Sequence, residues 1–256
     1  MSLVSWAAFH PPWMTYPKGW SELRFAPRGK HPVPVLVLHP VVFGENCAVF
    51  IFSHGNSEDL GYLHEKMSGF AARHSCIVVA YEYDGYGCTK QDGLQCSEDG
   101  CYSCARACYD YVTGTMGIAT QRIVLCGHSL GSGPTVHLAR EVSPAGYGAC
   151  ILLSPLVSCL AVPARWCALV LSCLVADMFD NAAKIHRVSQ PLLIIHGSDD
   201  AVISSHHSMA LHALAPHSSL HIIKGAGHND LFSAEHGLEV NAYIEFFLKS
   251  VRLSCA

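Results

Sequence analysis

Short apolar runs rich in β-branched residues recur along this 256-residue chain, and stretches of helical length separate them. The runs are Val33–Leu38, Ala48–Phe52, Cys76–Tyr81, Arg122–Cys126, Ala149–Leu153, Pro191–Ile195 and Leu220–Ile223. Several are apolar at every position. That pattern belongs to strands buried on both faces, because a solvated face would show polar residues at alternate positions. The intervening stretches predict helices at about 60–73, 98–113, 131–142, 160–176, 204–214 and 233–249. Strand–helix alternation at this spacing predicts a mostly parallel central sheet with helices on both faces. Ligand sites in such sheets gather beyond the carboxyl ends of the strands, so chemistry is sought just after each run.

Residues 1–30 break the alternation. Trp6, Phe9, Trp13, Tyr16 and Trp20 are spaced among prolines. They predict an irregular arm or edge hairpin packing on one domain of residues 31–256. Half the residues are hydrophobic, 14% are charged and the formal charge is −4. This composition excludes a largely disordered chain and leaves no basic footprint for nucleic acid. A membrane span needs about 20 consecutive apolar residues. The best candidate, Leu156–Ala176, is broken by Pro163 and Arg165.

Thirteen cysteines are present, an odd number. No secretory signal is visible, since the first basic residue is Lys18 and Pro11, Pro12 and Pro17 interrupt any early apolar run. The expectation is a cytoplasmic, non-secreted protein whose reduced thiols mostly serve as small core residues. Cys101-x-x-Cys104 has zinc-knuckle spacing, but Cys101, Cys104 and Cys108 fall on one face of a predicted helix and no second pair follows. Neither metal nor cofactor is implied. His206, His207, His212 and His217 are expected to face solvent.

The strand at Arg122–Cys126 runs into Gly127-His128-Ser129-Leu130-Gly131 and then a helix. This is G-x-S-x-G in strand–turn–helix context, which presents Ser129 as a nucleophile on a tight turn. A serine needs a base. Gly225-Ala226-Gly227-His228-Asn229-Asp230 follows the last strand and offers His228. The strand before it ends in His196-Gly197-Ser198-Asp199-Asp200, where an aspartate can accept from the imidazole Nδ1–H. Spacing alone leaves Asp199 and Asp200 both open. The chain order Ser, Asp, His is that of α/β-hydrolases. The oxyanion hole calls for two backbone N–H groups. Leu130 offers one. The loop Ser53-His54-Gly55-Asn56-Ser57 offers Asn56 as the other, with Ser57 as the fallback. His54 is expected to be structural, since the base position is filled.

These segments, together with Tyr83-Asp84-Gly85-Tyr86-Gly87, Leu153-Ser154-Pro155-Leu156 and Ile194-Ile195-His196-Gly197, occur in one order. The set resembles the α/β-hydrolase-domain-17 subfamily, from about Phe9 to Leu248. That subfamily comprises serine hydrolases that remove palmitate from cysteine thioesters on membrane-associated proteins. The resemblance implies an α/β-hydrolase fold, an acylated-protein substrate and, from the H-G-x-x-D pattern, Asp200 as the acid, with Asp199 the alternative. Two departures stand out. The subfamily carries a lipidated cysteine cluster near the N-terminus; the first cysteine here is Cys47, so that anchor is expected to be missing or replaced. The segment Ser158–Phe179, where a short lid would lie, is unusually apolar. Trp166, Leu169, Val170 and Leu174 are the expected acyl-binding residues, and the same segment suggests transient contact with a membrane surface. The competing expectations are a carboxylesterase or lysophospholipase acting on small acyl esters, and a hydrolase-fold binding protein without turnover.

Overall fold

The computed structural model describes residues 8–17, 19–41, 44, 47–162 and 177–253. Eight strands form one sheet: β1 Leu23–Ala26, β2 Val33–Leu38, β3 Val49–Ser53, β4 Ile77–Tyr81, β5 Ile123–His128, β6 Ala149–Leu153, β7 Leu192–Gly197 and β8 Ser218–Ile223. Their spatial order is β1-β2-β4-β3-β5-β6-β7-β8. The strands from β4 through β8 run parallel, and β1 and β2 are antiparallel at one edge. The mostly parallel, helix-flanked sheet is the one the alternation of apolar runs predicts, and it is the α/β-hydrolase architecture that the motif order and the resemblance imply.

Alternate residues of each central strand enter opposite cores. Val49, Ile51, Ile123, Leu125, Cys150 and Leu152 face one layer. Phe50, Phe52, Val124, Cys126, Ile151 and Leu153 face the other. The first layer packs on α3 (Glu98–Asp110), α4 (Ser132–Val142) and α6 (His206–Leu214). The second packs on α1 (Leu60–His74) and α7 (Gly237–Ser250). Two short α-helices also occur among the described residues, α2 (Gly87–Gln91) and α5 (Ala182–Ile185).

Local chemistry sets the helix ends. Asp59 caps α1 by accepting the Tyr62 N–H, and Arg73 and His74 lie in its last turn, where the helix dipole favours them. Ser97 caps α3 by accepting the Gly100 N–H.

The strand β1 comes from the segment expected to be an irregular arm or an edge hairpin, and it pairs antiparallel with β2 at the edge of the sheet. Leu23 and Ala26 are buried while Arg24 and Phe25 are exposed, so neither a continuous nor an alternating run marks it. Phe9 and Tyr16 from the same segment are buried in the two cores, and Trp13 is exposed.

Cys47, Cys88, Cys96, Cys101, Cys104, Cys108, Cys126, Cys150 and Cys159 carry free thiols. Cys101, Cys104 and Cys108 lie on α3 in the first core, where burial pushes their thiols upward and keeps them protonated. The histidines of the α6 region divide. His206 and His217 are exposed, but His207 is buried and its Nδ1 accepts the Val157 N–H at 3.0 Å. The expectation of a solvent-facing His207 is corrected by that bond, which ties the loop after β6 to α6. No helix among the described residues is long and apolar enough to cross a membrane.

Candidate active site

The turn that carries Ser129 is built from small residues because backbone crowds it. From β5 the chain enters a single tight turn, Ser129–Gly131, and then α4. A Cβ on Gly131 would strike the carbonyl of Ser53 at the end of β3, and one on Gly127 would strike Thr135 and the Gly131 carbonyl. Ser129 itself has φ of +54°, in the left-handed region that costs a non-glycine residue about 1–3 kcal/mol. The surrounding close packing holds that strained conformation. Its side chain is thereby raised from the end of the strand at 8% exposure.

Three of the expected residues come together here. His228 Nε2 lies 2.9 Å from Ser129 Oγ, and His228 Nδ1 lies 2.6 Å from Asp200 Oδ2. The Asp200 side chain has no exposed surface. Its Oδ1 accepts the N–H groups of Val202 and Ile203, both at 2.8 Å. Burial alone would raise this carboxyl. Hydrogen bonds from His196, His228 and the Ile203 N–H outweigh it, so the group stays well below the ordinary carboxylate range and ionised. An anionic Asp200 fixes the proton on His228 Nδ1 and leaves Nε2 to accept from the serine. Asp199 is exposed and accepts from its neighbour Ser198 Oγ at 2.6 Å. The two aspartates left open by spacing are thus distinguished by direction, with Asp200 facing the imidazole.

The loop after β3 packs against this turn through Ser53, His54 and Gly55. His54 Nδ1 donates to the Gly55 carbonyl at 2.8 Å. The C=O and N–H of a trans peptide point in opposite directions, so that bond also fixes the heading of the Asn56 N–H. His54 is fully buried, with Nε2 3.4 Å from Glu82 Oε1 and its ring tilted against that of Tyr83 at 4.0 Å between centroids. Glu82 in turn accepts from Tyr16 Oη at 2.7 Å. His54 therefore works as a strut under the loop. The Asn56 side chain has a task its sequence position did not suggest. Its Oδ1 accepts from the His10 N–H and Tyr86 Oη, and its Nδ2 donates to the Ala8 carbonyl.

Sequence reasoning missed His196. Its Nε2 lies 3.1 Å from Asp200 Oδ2 and 2.9 Å from the Ile203 carbonyl, and its Nδ1 meets Ser208 Oγ at 2.6 Å. A nitrogen beside a carbonyl must donate, so Nε2 carries a proton and Ser208 donates to Nδ1 in the neutral ring. The available signal was its place in His196-Gly197-Ser198-Asp199-Asp200, one turn of chain from the acid. Trp166, Leu169, Val170 and Leu174 lie outside the described residues. Among the described residues, no group of three or more His, Cys, Asp or Glu side chains is arranged to hold a metal ion.

No family model matches the chain. It is 32% identical over 211 residues to the alpha/beta hydrolase domain-containing protein aho-3 of Caenorhabditis elegans, a match covering 80% of this chain and 59% of that protein. It is 36% identical over 187 residues to the human alpha/beta hydrolase domain-containing protein 17C, covering 71% of this chain and 53% of the relative. The chain therefore spans little more than half the length of the curated relatives it matches. Among solved structures, Est1E from Butyrivibrio proteoclasticus has a TM-score of 0.67 at 16% identity, over 90% of this chain and 99% of that one. The apo form of Thermogutta terrifontis esterase 2 has a TM-score of 0.68 at 14% identity, over 92% and 96%. At these identities the solved structures share the fold.

Proposed function

The chain is an α/β-hydrolase-fold protein related to the alpha/beta hydrolase domain-containing 17 proteins, and from that premise we propose that it is a serine hydrolase cleaving acyl thioesters, with palmitoyl groups on protein cysteines as its substrate class. The observation that carries the reading is the 2.9 Å contact between Ser129 Oγ and His228 Nε2, backed by Asp200.

The steps follow from that geometry. His228 Nε2 takes the serine proton as Ser129 Oγ attacks the acyl carbonyl carbon. Asp200 keeps the Nδ1–H and stabilises the imidazolium. The N–H groups of Leu130 and Asn56 receive the oxyanion, each donor worth about 3–4 kcal/mol in the transition state. Collapse of the intermediate breaks the carbon–sulfur bond, and the imidazolium proton goes to the departing thiolate. The acyl group is left on Ser129. A water then attacks this ester while His228 takes its proton. The second collapse releases the fatty acid and returns the proton to Ser129 Oγ. The chemistry calls for no cofactor.

The thioester assignment rests on the motif set shared with the domain-17 proteins. The apolar character of Ser158–Phe179 supports it, because a long acyl chain needs apolar walls; Trp166, Leu169, Val170 and Leu174 are the residues proposed to supply them. The same segment is proposed to touch a membrane surface transiently, where palmitoylated substrates reside. The test is a fluorophosphonate probe followed by a substrate panel. Labelling of wild type but not Ser129→Ala, with fastest turnover on a palmitoyl-cysteine peptide, is expected. Preference for short oxyesters or lysophospholipid would assign the small-ester reading instead. Folded protein that fails to label would assign a binding protein.

A further inference from the structure

Glu58 takes no part in the Ser129–His228–Asp200 chain, yet it reaches the segments that form the site. Its Oε2 accepts the Gly55 N–H at 2.7 Å, one residue before Asn56. The same oxygen lies 3.6 Å from Nδ1 of His128, the residue before Ser129. The other nitrogen of that ring, His128 Nε2, lies 3.4 Å from the backbone carbonyl of His228. The imidazoles of His128 and His228 face each other at 5.4 Å between centroids. A Cβ on Gly55 would sit 3.1 Å from both Glu58 Oε2 and His128 Nδ1, so the three residues are in mutual contact.

The carboxylate is built to stay charged in a nearly closed position. Its side chain is 11% exposed and pairs through Oε1 with Lys66 Nζ at 3.0 Å. Burial would raise the carboxyl, but His128, Lys66 and the Gly55 N–H overcome that and hold it well below the usual range. Glu58 also stands at the amino end of α1, where the helix dipole favours an anion. Capping that helix is not its task, because Asp59 already accepts the Tyr62 N–H.

We propose that Glu58 is a positioning residue for the hydrolytic reaction: its carboxylate clamps the Gly55–Asn56 loop against the His128–Ser129 turn and, through His128, sets the His228 loop. This rests on the hydrolase reading. Loss of the clamp misplaces the groups that meet the transition state and has little effect on the binding of the substrate's remote parts. Misplacement of this kind by about 1 Å costs up to about 100-fold in rate.

The experiment measures p-nitrophenyl ester hydrolysis by wild type, Glu58→Ala, Glu58→Gln, His128→Ala and the Glu58→Ala/His128→Ala double variant. Rates are divided by the active sites counted with a fluorophosphonate. In Glu58→Ala, kcat per titrated site is expected to fall about 10- to 100-fold while KM stays within about threefold. Glu58→Gln is expected to recover part of the loss, since its amide oxygen still accepts the Gly55 N–H. The double variant is expected to lie within about twofold of Glu58→Ala, because both act through one network. Unchanged kcat per site in Glu58→Ala, or a loss confined to the number of titratable sites, overturns the proposal, as does full additivity in the double variant. Should Glu58→Ala fail to fold, Glu58→Gln decides: kcat per site below wild type supports the clamp, and equality overturns it. Wild type that neither labels nor turns over removes the hydrolase reading itself, a result distinct from a labelled wild type with an unimpaired Glu58→Ala.

Discussion

His196 and Asp200 meet across the loop that follows β7, with Nε2 3.1 Å from Oδ2 and neither side chain exposed. Asp200 thus offers one carboxylate oxygen to two imidazoles and the other to two backbone N–H groups. Every lone pair facing the protein is used, and the carboxylate has no freedom to turn away from His228. Replacing His196 by alanine removes a donor to a buried anion, strands the Ser208 hydroxyl and opens a cavity. Denaturant unfolding is expected to show a loss of about 2–4 kcal/mol. The expected kinetic change is a lower kcat at similar KM, measured at a temperature where the variant is folded.

The two neighbouring aspartates are expected to separate cleanly. Asp200→Asn reverses the preference for the Nδ1–H tautomer of His228 and is expected to lower kcat by about four orders of magnitude. Asp199→Asn changes an exposed group bonded to Ser198, and its kcat/KM is expected to stay within about twofold of wild type, as usual for surface substitutions. Steady-state kinetics on one chromogenic ester reads both. Comparable losses would show that Asp199 also serves the imidazole.

The acid stability profile carries the signature of Asp200. Its folded-state pKa lies below the unfolded value, so the unfolded chain binds the proton first. The stabilisation is complete above the unfolded pKa of about 3.9 and drains as pH falls toward the native one. Glu58, also depressed, acts in the same direction. Thermal scans from pH 6 downward, an ordinary acid range for such carboxylates, are expected to show a steep fall in Tm below about pH 4 in wild type and a shallower one in Asp200→Asn. Parallel curves would mean that the contacts of Asp200 do not favour its ionised form.

Asn56 is expected to separate backbone from side chain. Asn56→Ala keeps the N–H assigned to the oxyanion and loses the bonds to Ala8, His10 and Tyr86. Hydrogen exchange is expected to show lost protection at the His10 amide, with stability reduced by about 1–2 kcal/mol. Activity is expected to suffer far less than in Ser129→Ala. An unchanged exchange rate at His10 would mean that the segment is held without the Asn56 bonds, by Phe9, Thr15 and Tyr16.

The central strands were legible because burial on both faces leaves no polar interruption, as in Ile77–Tyr81 and Ala149–Leu153. The edge strand β1 was legible only as one of two alternatives and without bounds, because four residues with Arg24 and Phe25 turned outward carry no periodic mark. Ser129 and His228 could be read because each sits on a glycine-flanked loop after a strand. Spacing alone left Asp199 and Asp200 open; the family's H-G-x-x-D pattern implied Asp200, and it is side-chain direction, which spacing does not encode, that turns Asp200 to the imidazole. Glu58 was silent for a different reason. A glutamate just before a helix reads as a solvated charge, and its partners Gly55, Lys66 and His128 are gathered only by the fold.

The 99-residue separation between Ser129 and His228 gives the site a second use. The serine turn is complete once β5 and α4 are docked, but the imidazole arrives only after β6, β7 and β8 have added in parallel, each by a long-range crossover. Non-local pairings of this kind form late. Covalent capture of Ser129 during refolding therefore times the closure of the whole sheet, and it tallies finished molecules where helical content alone would also count partly assembled ones.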